Sequence, residues 1–225
     1  MKTTLIAAAL CLGLSAAASA DITLDLLENV AGTSPSNVTP STAFQYVNPL
    51  SGDYIAAWLS GQSDGLYSTV RNNNTTDVSV IGASLTSGES GYTLSFWNRT
   101  GYAGSVVAIA TTISDTSSLT SLDFSYTVSA NEGGTIYLVY QEDGEWTMAS
   151  TAFTVGNEAT ISVDLSEKAL SSSTVYAVVI TTSGAGNAET GTISLTATSG
   201  AVPEPAAATL GLLALGALAL RRRRA

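Results

Sequence analysis

The chain has no histidine and one cysteine, Cys11. A Ser–His–Asp or Cys–His catalytic arrangement is therefore excluded, and so is a zinc site built on Cys or His. Basic residues are scarce as well. Lys2 and Arg221–Arg224 lie at the two ends, so residues 21–200 carry three cations, Arg71, Arg99 and Lys168, against seventeen carboxylates, a formal charge of −14. A body this acidic repels phosphate backbones, and nucleic acid is not an expected partner. The acidity suits a divalent cation such as calcium, but solubility of an exported domain explains it more simply. No Gly-rich phosphate cradle occurs: Gly184-Ala185-Gly186 follows a predicted strand but opens no helix.

Both ends read as targeting segments. Met1–Ala20 has a basic start at Lys2, an apolar core from Leu5 to Leu14 and the small-residue site Ala18-Ser19-Ala20. This is the three-part pattern of a secretory signal peptide, with cleavage after Ala20 and a mature N-terminus at Asp21. Cys11 sits inside the apolar core behind Leu10, where a lipoprotein would need a small residue. At the other end, Ala206–Leu220 holds nothing more polar than Thr209 and is followed by Arg221, Arg222, Arg223 and Arg224. As a helix it would be about 22 Å long at roughly 1.5 Å per residue. That is short for a hydrocarbon core of about 30 Å, a mismatch that thinning and snorkelling accommodate. The arginines would stay on the cytoplasmic side and leave the body outside. Pro203 and Pro205 separate the span from the extended segment before it.

Val202-Pro203-Glu204-Pro205, the short Ala/Leu/Gly-rich span and the terminal arginine cluster resemble the PEP-CTERM sorting signal of Gram-negative bacteria. The resemblance covers only residues 202–225. It implies an exported protein delivered to the cell surface or matrix. It also implies Val202, Pro203, Glu204 and Pro205 as the motif read by an exosortase-like membrane protease, and Arg221–Arg224 as the stop-transfer end. It implies no activity for the body.

Residues 21–200 are long enough for one domain with a proper core. Leu122, Phe124, Tyr126 and Val128 alternate with Asp123, Ser125 and Thr127, the period-two pattern of a half-buried strand. Ile161–Leu165 and Ile193–Ala197 repeat it. Val78–Leu85, Tyr92–Trp97, Val106–Ile113, Thr135–Tyr140 and Trp146–Thr151 read as further strands. Val175–Thr181, apolar on both faces, reads as a central one. Asp143-Gly144 between Tyr140 and Trp146 is a hairpin turn signal. The expected fold is an all-β antiparallel sandwich of jelly-roll type, with an immunoglobulin-like sandwich as the second choice. Ile22–Val30 fits an edge strand, Gly32–Pro40 a loop, Leu66–Val70 a strand within a loop. Tyr54–Leu59 fits strand or helix equally.

Glu142, Asp143 and Glu145 form the densest acidic cluster, on a predicted hairpin tip where solvated turn residues are the ordinary explanation. No catalytic residue and no metal ligand is assigned. Trp58, Trp97 and Trp146, with Tyr92, Tyr137 and Tyr140, are candidates for a platform on which sugar rings stack, although filling the core would account for them too. Tyr92 and Phe96 share one strand face, so Trp97 points to the other. The Asn-X-Thr triplets at Asn37, Asn74 and Asn98 read as turn formers in a bacterial setting. The expected function is a non-catalytic surface or matrix protein of structural, adhesive or glycan-binding role, with extracellular polysaccharide as its partner. A glycoside hydrolase or lyase on a jelly roll is the competing expectation, and it would need two carboxylates across a groove with a tryptophan beside them.

Overall fold

The computed structural model describes residues 21–34, 36–37, 50–70, 81–98, 104–129, 133–181 and 188–200. The leader Met1–Ala20, the tail from Ala201, Asn74, Arg71, Arg99 and the glycine-rich turn Ser183–Asn187 lie outside them. Residues Asp21–Gly200 form one compact unit. Its elements are β1 (Ile22–Asp25), β2 (Ser36–Asn37), α1 (Gly52–Leu59), β3 (Gly65–Val70), β4 (Ile81–Gly88), β5 (Gly91–Asn98) and β6 (Ser105–Thr112). There follow β7 (Leu119–Val128), β8 (Gly134–Glu142), β9 (Glu145–Phe153), β10 (Glu158–Asp164), β11 (Thr174–Thr181) and β12 (Ala188–Ser199).

Two sheets result. Sheet A runs β10-β7-β12-β5-β4, with β1 also paired to β12; sheet B runs β2-β3-β6-β11-β8-β9. Among the described residues every pairing is antiparallel except the two-residue contact of β2 with β3. From β5 to β12 the chain crosses between the sheets at every connection except the β8–β9 hairpin, and this places β5-β12-β7-β10 opposite β6-β11-β8-β9. That winding has the strand order of a jelly roll.

The inner faces are the alternating residues visible in the sequence. Leu122, Phe124, Tyr126 and Val128 of β7, with Leu94, Phe96, Ile193 and Leu195, pack toward Val107, Ile109, Ile136, Leu138, Val175 and Val179 of sheet B. Tyr126 meets Phe153 edge-on, ring centroids 5.1 Å apart, the geometry an aromatic quadrupole favours.

Two sequence expectations are corrected and an open one is decided. Of Ile22–Val30 only Ile22–Asp25 is strand, because Asp25 Oδ1 accepts from the backbone N–H of Leu27 and turns the chain. Ser36–Asn37, expected as loop, pairs with Tyr67–Ser68. Tyr54–Leu59 is helical. Ser51 caps it by accepting from the N–H of Tyr54 at 3.3 Å, and Ile55, Ala56, Trp58 and Leu59 fall on one buried face.

That face decides the asymmetry of the molecule. The helix cluster packs against Val106, Ala108 and Ala110 of β6 and Tyr176, Val178 and Ile180 of β11, all on the outer side of sheet B. The central strands β6 and β11 of sheet B are buried on both faces, which is why β11 reads as an unbroken apolar run. Sheet A keeps its outer face toward solvent.

Candidate functional site

The outward residues of sheet A are the polar members of the alternating strands. Register places Thr86, Thr93, Thr192 and Thr127 side by side across β4, β5, β12 and β7, and Glu158 of β10 ends the row. The neighbouring row holds Ser194, Ser125 and Thr160. Strands about 4.8 Å apart and outward residues roughly 6.7 Å apart along each strand make this a grid of hydroxyls, each able to donate and accept. A groove of about 330 Å³ crosses it, lined by Ser125, Thr127, Glu158, Thr192 and Ser194 with Ser90–Tyr92 at one wall.

Trp97 stands on the same face and is 51% exposed. Its register partner on β4 is Gly82. A Cβ at Gly82 would lie 1.8 Å from the indole, so the ring lies flat across the glycine and presents its free side to solvent. Gly82 acts here as the seat of the platform, since any side chain would lift the ring off the sheet. From Trp97 to the groove residue Thr192, whose partner is Thr93, the face runs four residues, about 13 Å.

Asp123 also faces outward, and its two carboxylate oxygens are occupied on the protein side. Ser162 donates to Oδ1 at 2.6 Å and Ser121 to Oδ2 at 2.7 Å. Asp164, one step diagonally away on β10, is held below the usual carboxylate range by the Ser166 hydroxyl and then by the Ser166 N–H.

At the end of β5, Tyr92, which packs against the core from the inner face, donates to Asp25 Oδ2 at 2.8 Å and joins β5 to β1. That hydrogen bond, then partial burial and the nearby carboxylates, raise the phenol from 10.0 to about 12. A raised value means the contribution is complete below the tyrosine's ordinary pH of 10.0 and is lost as pH rises through about 12. In alkaline titration followed by circular dichroism, Tyr92→Phe should therefore be less stable than the parent at pH 8 and the gap should close above pH ~12. A gap that stays constant with pH would show that the contact does not report on the phenol's ionisation.

The three tryptophans do not form one platform. Trp58 is 8% exposed inside the helix cluster, and Trp146 is half-buried on the same outer side of sheet B, tilted 36° against Tyr176 with centroids 5.5 Å apart. Tyr140 is in the core. Glu142, Asp143 and Glu145 surround the β8–β9 turn. Asp143 at φ 53 and Gly144 at φ 86 adopt the positive angles the turn requires, and Lys168 pairs with Glu142 at 2.9 Å. Among the described residues no group of three or more His, Cys, Asp or Glu is arranged to hold a metal ion. Gly82, the threonine row and the serine-held Asp123 carry no sequence motif. Their one signal was the run of Ser and Thr at the outward positions of successive strands.

Comparison with protein families matches residues 201–224 to the PEP-CTERM protein-sorting motif. The tail carries that motif. No curated protein matches the chain. Among solved structures the chain is similar to TmCBM61 in complex with β-1,4-galactotriose, at 10% identity over 59% of this chain and 86% of that one, TM-score 0.37. It is also similar to the family 11 carbohydrate-binding module from Clostridium thermocellum with a β-1,3-1,4-mixed-linked tetrasaccharide, at 12% identity, 62% and 90% coverage, TM-score 0.35. A third is arabinose-bound MgGH51 α-L-arabinofuranosidase, at 17% identity, 71% and 26% coverage, TM-score 0.34. At such scores the ligand has to be read from this chain's own residues.

Proposed function

We propose that this is an exported, surface-delivered protein without catalytic activity, whose body holds polysaccharide on the open face of sheet A. The sorting motif at residues 201–224 supports delivery. In this reading Met1–Ala20 is removed on export, Asp21–Gly200 is the working domain, and Ala206–Leu220 anchors the precursor until an exosortase acts near Val202–Pro205. Among the described residues no helix is long and apolar enough to cross a membrane; the span assigned here lies outside them.

The observation that carries the glycan reading is the indole of Trp97, laid flat on Gly82 and half exposed within a field of hydroxyls. An aromatic face offers apolar contact to a sugar ring while neighbouring hydroxyls meet its polar edge. The competing reading, a glycoside hydrolase, has one observation in its favour. Asp123 and Asp164 are diagonal neighbours, about 7–8 Å apart. The pair sits on an open sheet rather than across a groove, and eight residues along β12, about 26 Å, separate its row from that of Trp97. A hydrolytic acid needs a raised pKa, whereas Asp164 is held low.

Fractionation and intact mass of the protein from its native cells, with and without the exosortase, test delivery. The expected product lacks Met1–Ala20 and the tail and is found at the surface or in the medium. A tailed species retained in the inner membrane of cells with an active exosortase would overturn it. Release of reducing ends from any polysaccharide by the purified protein would replace the binding reading with the hydrolytic one.

A further inference from the structure

Resting on that glycan-holding reading, we infer that the face of sheet A takes uncharged polysaccharide, gripped along an internal stretch of the chain, and turns away uronate- or sulfate-bearing chains. The face has two kinds of polar group. Hydroxyls from Ser and Thr dominate it, and its charges among the described residues are carboxylates, Asp25, Asp123, Glu158 and Asp164. Lys168, the one described cation, lies off the face, paired with Glu142. Recognition of uronate or sulfate relies on Arg or Lys to replace lost hydration. Among the described residues an anionic chain would meet none on this face and would instead lie beside Glu158 in the groove, within the ~8 Å over which charge is felt at physiological salt. The −14 of residues 21–200 adds a repulsive field at longer range.

A neutral sugar meets the opposite situation. Its hydroxyls can donate to Glu158 and to the remaining acceptor capacity of Asp123, whose serine bonds hold the carboxylate in place. The edge strands β4 and β10 expose Ser84, Thr86, Thr160 and Ser162 rather than raising a wall. A chain crossing diagonally from Trp97 to Glu158 covers about 20 Å and continues past both ends. Only one side of the indole is free, which makes it a platform under passing sugar units and not a clamp on a chain end.

The test uses the full chain, purified in a detergent without a sugar headgroup, in affinity electrophoresis against two panels. Neutral probes are β-1,4-galactan, mixed-linkage β-glucan, galactomannan and xylan; anionic probes are alginate, polygalacturonate and hyaluronate. Retardation is expected with at least one neutral polymer and none of the anionic ones, and the affinity it reads should fall about 30-fold or more in Trp97→Ala. Fragments of two sugar units should compete at least about tenfold more weakly than longer ones, since they cannot span the face. The double variant Asp123→Asn with Glu158→Gln should gain affinity for anionic chains by about tenfold. Trp97-dependent binding of an anionic polymer by the parent would overturn the neutral assignment and leave the glycan reading standing. Binding that survives Trp97→Ala unchanged, or no binding to either panel, would overturn both.

Discussion

Trp97→Ala should weaken polysaccharide binding by about 30-fold or more, equivalent to about 2 kcal/mol, the range of a central aromatic anchor, while the fold stays intact. The stability cost is small because the ring is half exposed and lies over a glycine. What is lost is one cross-strand aromatic contact of about 0.2–1 kcal/mol, or a few degrees at most in the thermal midpoint of a domain this size. Gly82→Val separates the platform from the indole itself. Its side chain would occupy the space of the ring, 1.8 Å from the nearest indole carbon, and force it off the sheet. Binding should drop as it does in Trp97→Ala although the tryptophan is still there. Titration calorimetry against whichever neutral polymer is retained reads both variants. A Trp97→Ala protein that binds within about twofold of the parent would remove this face as the site, because no anchor residue of an interface is that dispensable.

Phe124→Ala should have the converse effect. Phe124 is one residue from Asp123 on β7 but on the inner face, fully buried and in register between Ile161 and Leu195. Removing a buried phenyl ring costs about 3–5 kcal/mol through lost transfer energy and the cavity left behind. That is a large part of the roughly 5–15 kcal/mol that holds a typical domain. The thermal midpoint should fall by about 10 °C or more. Phe124→Leu, which keeps most of the volume, should cost about 1.5 kcal/mol or less and bind as the parent does. Denaturant unfolding measures both. A Phe124→Ala loss under about 1 kcal/mol would mean that the sheets are not packed on each other at this strand. Together with Trp97, this places stability on one face of sheet A and binding on the other.

How much of this was legible follows from how each signal is written. The half-buried strands were readable because their inner and outer residues differ in polarity at every step, as in Leu122–Val128. Parity also showed that Trp97 points away from Phe96, and the structure puts it on the outer face. The hairpin at Asp143-Gly144 needed only two adjacent residues. Tyr54–Leu59 was ambiguous because so short an apolar segment satisfies both periods, and its helical state comes with the cap at Ser51 and a sheet to lie on. The tryptophans could not be sorted from their spacing: Trp58 on that helix and Trp146 on β9 pack in one cluster on the far sheet from Trp97.

The sequence by itself determined the sorting tail, the acidity, the exclusion of histidine and cysteine chemistry and the existence of most strands. Each of these is a property of contiguous residues or of composition. The tertiary structure decided which face of which sheet is open. It also set Gly82 under Trp97, aligned Thr86, Thr93, Thr192 and Thr127 in one row, and brought Ser162 to Asp123 across 39 positions. Those relations are matters of strand register and sheet order, which depend on long-range pairing and on where the helix lies. No local period along the chain encodes them.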